Sequence, residues 1–319
     1  MRLVSSLVLA LLISGPAWAQ TTPERVDPAN VGLTMAFDDT WTPTGIVGVR
    51  AHRATSATLS TVMVQRYEQE TPIEERVTVW SETTESGFAS AGLTGVEADD
   101  VAREDGVRVR RVAGFGGLPT TNTDGWTVLY GVFAADWFAT ITIHAPTTGD
   151  DGLDAFDGPA QTAMLDRESR WQDAFPFSLE IPDAVVPRLR SAGVVTFGRD
   201  DDGDGFDEIE LLIIDPGPPE DDLHEATAES EGLIGSLSMH QPTGTIETWD
   251  MQLPGLDAAG SRVDALDTQL NRAVQLRAWS IANDAQRAWI TLVCVPEACA
   301  EFAPQLATSV EAFRWTPVP

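Results

Sequence analysis

A short segment rich in aspartate is the part of the sequence whose residue types and spacing could do chemistry. Residues 199–211 read RDDDGDGFDEIEL, and Asp200, Asp202 and Asp204 alternate along the segment. Calcium prefers about six to eight oxygen ligands, and alternate carboxylates on a tightly curled loop can point toward one centre. Gly205 permits the sharp turn that such a loop needs. The spacing therefore predicts a calcium site.

Two further oxygen ligands follow in the same segment. They are the backbone carbonyl of Phe206 and the carboxylate of Glu208, at the ninth loop position. The twelfth position, a glutamate in an EF-hand, is Leu211, and the flanks 194–197 and 209–214 have strand patterns. The loop resembles the D-x-D-G-D-G-x-x-[DE] hairpin of FG-GAP-type calcium loops. That resemblance implies a structural ion that clamps a hairpin.

A solvated acidic turn without a metal is the alternative interpretation, because the chain has 49 acidic residues. Two features favour calcium. Five carboxylates lie between Asp200 and Asp207, and a divalent cation would relieve their mutual repulsion. The hairpin expected at 52–58, in the corresponding part of the first half, carries no acidic residue.

The two cysteines, Cys294 and Cys299, form the second chemical feature. In an oxidising compartment an even pair predicts a disulfide, here closing a small loop between the last strand and the last helix. A free dithiol or a pair of metal ligands are the alternatives. The spacing is wider than the C-x-x-C typical of redox catalysis.

No catalytic constellation is evident in the sequence. The four histidines, His52, His144, His224 and His240, are isolated, and neither H-E-x-x-H nor G-x-S-x-G occurs. All basic residues are arginines, which excludes a lysine Schiff base and a Walker-A phosphate loop. We assign no catalytic residue, although acidic pairs suited to hydrolysis are abundant.

Charge and composition limit the partners. The chain has 49 acidic and 20 basic residues, a formal net charge of −29, and 43% hydrophobic residues, as in a folded protein. The large negative charge of the protein would repel nucleic acids and anionic membrane surfaces, so neither is an expected partner.

The first nineteen residues have the pattern of a signal peptide. Arg2 precedes an apolar run at 3–13, and Ala17-Trp18-Ala19 matches an A-x-A cleavage site. We expect cleavage after Ala19, a flexible leader at 20–30, and a periplasmic or secreted mature protein.

The chain shows an internal duplication. In each half an aromatic-rich strand runs into a proline, and then come a loop, a phenylalanine, a helical stretch and a closing Arg-Trp pair. The corresponding residues are Pro146, Phe156, Arg170 and Trp171 in the first half and Pro296, Phe302, Arg314 and Trp315 in the second. This repeat predicts two domains, at 31–172 and 173–319.

The predicted fold class is α+β, with two tandem repeats that each form an antiparallel sheet covered by helices on one face. Alternating runs indicate the strands, and the segments 74–91 and 220–239 indicate the first helix of each half. The element order and the strand–Pro–Phe–helix ending resemble PsbP-like domains. That resemblance implies a binding or assembly role more than catalysis.

These features predict an exported, non-catalytic, calcium-stabilised protein that binds or helps to assemble an unidentified protein or envelope component. The alternatives are an exported hydrolase with acidic active-site residues and a calcium-dependent surface interaction protein. A cleft lined by facing carboxylates would favour the hydrolase, and calcium-dependent self-association would favour the third function.

Export with cleavage after Ala19 can be tested directly. Expression of the full chain in a Gram-negative host should yield a soluble periplasmic product that begins at Gln20, as read by N-terminal sequencing. A chain with Ala17→Arg and Ala19→Arg should keep its leader. Recovery of the unaltered chain in the cytoplasm with Met1 intact would contradict the assignment.

Overall fold

The computed structural model describes residues 24–44, 49–52, 58–66, 71–103, 105–118, 123–148, 152–166, 170–203, 206–217 and 225–316. Within these residues the chain forms twenty β-strands, four α-helices and two 3₁₀ turns. Fifteen of the strands belong to one antiparallel sheet. No helix in the described part of the chain has the length and apolar character needed to cross a membrane.

The first half contributes the first ten of these strands and two of the helices, with a 3₁₀ turn at Gly152–Phe156. The strands are β1 (Glu24–Val26), β2 (Leu33–Phe37), β3 (Trp41–Pro43), β4 (Arg50–His52), β5 (Thr58–Arg66), β6 (Thr94–Val101), β7 (Arg108–Gly117), β8 (Asp124–Phe133), β9 (Trp137–Ala145) and β10 (Met164–Leu165). The helices are α1 (Ile73–Ser90) and α2 (Asp157–Thr162).

The second half contributes the remaining ten strands and two helices, after a 3₁₀ turn at Trp171–Ala174. The strands are β11 (Phe177–Ser178), β12 (Val186–Ser191), β13 (Val194–Arg199), β14 (Ile209–Ile214), β15 (His240–Pro242), β16 (Glu247–Asp250), β17 (Asp257–Asp267), β18 (Arg272–Ala282), β19 (Arg287–Cys294) and β20 (Arg314–Trp315). The helices are α3 (Ala226–Ser236) and α4 (Pro296–Glu311).

The two halves pair their strands in the same order. In the first half the order is β3-β4-β5-β9-β8-β7-β6, and in the second it is β12-β13-β14-β19-β18-β17-β15, with β16 also paired to β17. A small antiparallel sheet accompanies each half, β1-β2-β10 in the first half and β11-β20 in the second. Corresponding segments of sequence therefore occupy corresponding positions in the sheet.

Antiparallel pairing of β12 with β5 joins the two halves into one sheet. Leu189, Arg190 and Ser191 lie opposite Gln65, Val64 and Met63, respectively. On its other edge β5 pairs with β9, and β12 pairs with β13. The hydrogen-bonded ladder is therefore continuous from β15 to β6.

Helices lie on both faces of this sheet. α1 packs on the first half through a small core of Val77, Phe133 and Phe138, and α3 packs on the second half through Ile234. The residue register across β14, β13, β12, β5 and β9 places α1 and α3 on the same face. α2 with β2, and α4 with the β11–β20 pair, cover the opposite face.

Side chains along a strand point alternately to the two faces of the sheet, so one strand contributes to the hydrophobic core on each face. Ile209, Leu211 and Ile213 of β14 are each 0% exposed and face the α4 side, while the residues between them face the α3 side. Trp171, which ends the first half in the sequence, packs on Phe197 with ring centroids 5.3 Å apart. It belongs to the core of the second half.

The predicted α+β class, two repeats with helices on one face of each sheet, is wrong. The protein is largely β, its two halves share one sheet, and its helices cover both faces. Alternation identifies a strand locally, but it does not encode which edge strands from distant parts of the chain will pair. The predicted boundary between residues 172 and 173 falls inside the 3₁₀ turn Trp171–Ala174.

A buried ionic network attaches α2 to the first half of the sheet. Arg111 of β7 reaches Asp157 of α2 at 3.0 Å and Asp154 at 2.8 Å, and the Tyr130 hydroxyl donates to Asp157 at 2.9 Å. Burial raises the pKa of Tyr130 well above its usual value, so the phenol stays protonated and donates. Burial also raises the pKa of Asp157, although Tyr130 and Arg111 oppose this effect.

Removal of Arg111 should be far more costly than removal of an exposed arginine. Arg111→Met leaves Asp157 buried without its cation, and we expect a loss of about 3–5 kcal/mol in the free energy of unfolding. The matched control Arg262→Met breaks the exposed pair with Glu247 and should cost under about 1 kcal/mol.

Urea titrations at pH 7 and pH 4.5 provide the measurement for this pair of variants. Because burial raises the pKa of Asp157 in the folded state, lowering the pH neutralises the orphaned carboxylate, so the deficit of Arg111→Met should shrink at pH 4.5. Equal losses in the two variants at pH 7 would contradict a buried role for Arg111.

Candidate metal centre

The acidic segment is the turn that connects β13 to β14. Arg199 and Ile209 are the last residue pair of this hairpin, and the Glu208 amide donates to the Arg199 carbonyl at 2.7 Å. The base of the turn is therefore closed by backbone hydrogen bonds. Asp200 leaves one strand as Glu208 approaches the next, so the two ends of the acidic segment are adjacent.

Three of the predicted ligands converge. One carboxylate oxygen from each of Asp200, Asp202 and Glu208 lies within 4.8 Å of the others. Two oxygens on opposite sides of a calcium ion are separated by about 4.8 Å, because each ligand distance is roughly 2.3–2.6 Å. The all-oxygen donor set and its spacing therefore fit a hard divalent cation.

The structure does not place the other two predicted ligands, Asp204 and the Phe206 carbonyl, in this cluster. Asp204 lies outside the described residues, as does Gly205. Phe206 is described, and its side chain is 44% exposed. Its carbonyl oxygen stays a predicted ligand.

The backbone of the turn orients the carboxylates. The Gly203 amide donates to Asp200 Oδ1 at 2.7 Å, and the Asp201 amide donates to Glu208 Oε2 at 2.6 Å. Gly203 has a φ of +75°, in the left-handed region that favours glycine. Gly203 is thus a second glycine that the turn requires, beside the Gly205 predicted from the sequence.

Arginines from neighbouring strands support the base of the turn. Arg188 of β12 pairs with Asp207 at 2.7 Å, Arg272 of β18 donates to the Asp207 carbonyl at 2.7 Å, and Arg199 pairs with Asp201 at 3.0 Å. These cations offset part of the repulsion that the sequence assigned to a metal. Arg272 also lies 3.9 Å from Glu208 Oε1, so one of the three convergent carboxylates has an arginine beside it too.

Arg188 and Arg272 lie far from the loop in the sequence, and no spacing rule points to them. Each of these arginines lies in a strand, and its place in the strand pattern indicates only that one face of the strand is partly exposed. The pattern does not indicate a contact with the acidic turn. Their role becomes visible only when β12 and β18 are placed beside the loop.

The predicted disulfide is confirmed. Cys294 and Cys299 are bonded, with their Cα atoms 5.2 Å apart. Cys294 pairs with Ile209 in the sheet, and the Val295 amide donates to the Glu208 carbonyl at 3.0 Å. The disulfide loop at the start of α4 therefore lies directly beside the acidic turn.

The histidines remain dispersed among the elements. His52, His144 and His240 belong to β4, β9 and β15, and His224 lies outside the described residues. Burial lowers the pKa of His144, whose ring lies 3.2 Å from the Thr127 hydroxyl. None of the three described histidines joins the acidic turn.

No known protein-family model matches the chain, and comparison with curated proteins finds no relative. The PsbP-like and FG-GAP-like resemblances therefore stay predictions.

Gly198 provides the space in which Asp207 meets Arg188. A Cβ added at Gly198 would overlap the Asp207 carboxylate and the Arg188 guanidinium. Gly198→Ala should therefore displace this ion pair and lower the free energy of unfolding by about 1–3 kcal/mol.

Gly244→Ala is the matched control, because nothing lies within 4 Å of a Cβ added there. Urea titration of both variants measures the difference. If Gly198→Ala is as stable as Gly244→Ala, the pair between Asp207 and Arg188 does not brace the turn.

Proposed function

We propose that this is an exported, non-catalytic protein with a binding or envelope-assembly role, whose second half is stabilised by calcium. The observation that carries the calcium part is the convergence of the Asp200, Asp202 and Glu208 carboxylates within 4.8 Å of one another. Such a set would lose much of its mutual repulsion when a divalent cation binds.

The position of the turn argues for a structural role of the ion. Its ligands come from both ends of the β13–β14 connection, so a bound cation would hold the two strands together at the end where the turn connects them. β13 and β14 lie between the joint to the first half and the rest of the second half. Calcium would thus stabilise the middle of the shared sheet.

Export is supported by two independent features. The leader has the signal-peptide pattern, and the Cys294–Cys299 disulfide is typical of oxidising compartments outside the cytoplasm. The calcium concentrations expected outside the cytoplasm suit a site of modest affinity, with a Kd of about 0.1–1 mM as in extracellular calcium modules.

Thermal unfolding of the mature protein tests the calcium site. A ligand that binds only the folded state stabilises it by about 1.4 kcal/mol when its free concentration is roughly ten times Kd. We expect the midpoint to rise by a few degrees in millimolar calcium relative to chelator, with a smaller effect of magnesium. An unchanged midpoint in calcium would exclude the site.

Single substitutions separate specific binding from general screening of an acidic protein. Asp202→Asn should lose most of the calcium response, and in chelator it should be as stable as the parent or more so, because one repelling charge is gone. Asp284→Asn, which removes an exposed aspartate from the β18–β19 turn, should keep the full response. Equal responses of the two variants would indicate screening only.

A further inference from the structure

A cavity of about 360 Å³ lies in the second half, on the face that α4 covers. Its walls come from the end of β16 with the residues after it, from Trp279 of β18, and from the last turns of α4. The eight lining residues are Trp249, Asp250, Met251, Gln252, Leu253, Trp279, Ala307 and Glu311. Its volume is at the lower end of the range for small-molecule sites.

One glycine lies between the two tryptophans and makes room for Trp249. Gly260 of β17 lies opposite Trp249 on one side and opposite Trp279 on the other. A Cβ at Gly260 would overlap the Trp249 ring, so only glycine allows that indole to lie against the β17 backbone. Directly opposite residues in a sheet share a face, which puts both indoles on the cavity side.

The Trp279 indole N–H is a hydrogen-bond donor beside the cavity. The residue is only 1% exposed, and no hydrogen bond from its indole nitrogen is found among the described residues. A buried tryptophan N–H usually finds a partner. A ligand oxygen in the cavity would supply one.

The charges at the cavity are acidic. Glu311 is exposed, has no ion-pair partner among the described residues, and ends α4, where the helix dipole is negative. Asp250 accepts a hydrogen bond from the Thr227 hydroxyl of α3 at 3.3 Å, so its carboxylate is directed to the other face. None of the lining residues is basic.

We propose that this cavity binds a small organic cation that also carries a hydrogen-bond acceptor. Aromatic faces attract ammonium groups, and the effect is strongest for tryptophan. Trp249 would contact the cationic group, Met251 and Leu253 would contact its apolar substituents, and Glu311 would balance its charge. The Trp279 indole N–H would donate to the acceptor of the ligand. The site is separate from the acidic turn, so it does not depend on the calcium proposal.

Choline is the probe, because it combines a quaternary ammonium group with a hydroxyl acceptor. Calorimetric titration of the mature protein should show saturable binding with a Kd of about 0.1–1 mM. The neutral isostere 3,3-dimethylbutan-1-ol should bind at least roughly tenfold more weakly, since it lacks the charge. The same titrations in calcium and in chelator should agree, which keeps this result distinct from the calcium test.

Variants assign the binding to this cavity. Trp249→Leu should weaken choline binding roughly 5- to 30-fold and Glu311→Gln roughly fivefold. Glu301→Gln, an exposed change on the same helix, should leave the affinity unchanged. Thermal midpoints within a few degrees of the parent show that each variant is folded.

Three results would overturn the proposal. They are the absence of saturable choline binding below about 10 mM, equal affinity for the neutral isostere, and unchanged affinity in both Trp249→Leu and Glu311→Gln.

Discussion

Backbone pairing between β12 and β5 is the interaction on which the whole arrangement depends. Without it each half would expose an unpaired strand edge, which is an aggregation hazard. With it the ladder runs unbroken from β15 to β6, and the strands of both halves are held in one register. That register places α1 and α3 on one face and α2 and α4 on the other. Two halves with the same strand order thereby form a single structural layer.

The acidic turn depends on the same sheet. Its ends are set by β13 and β14, and its base is braced by arginines from β12 and β18. Glu208 is also bonded through its carbonyl to Val295, beside the disulfide. The carboxylates that converge are therefore those whose positions are determined by strand ends and turn amides. Asp201 and Asp207 pair with arginines, and Glu208 of the convergent set lies 3.9 Å from Arg272.

The cavity near α4 depends on the absence of a side chain at Gly260. Gly260 leaves room for Trp249 against the strand backbone and pairs with Trp279 on its other side. The bulk of the two indoles forms the wall, and the end of α4 brings the acidic group. The acidic turn and this cavity use different chemistry, oxygen ligands for a metal ion in one and aromatic faces for an organic cation in the other.

Short-range sequence patterns predicted the local features of this protein. Alternating carboxylates, a close cysteine pair and a segment rich in acidic and small residues are short-range patterns. The convergence of Asp200, Asp202 and Glu208, the disulfide and a helix at 74–91, observed at Ile73–Ser90, were therefore predictable. The shared sheet, the helices on both faces, the bracing by Arg188 and Arg272, and the tryptophan cavity follow from how distant segments pack, and no short-range pattern predicted them. Each of these joins segments that are distant in the chain, and local composition carries no record of which distant edges will pair.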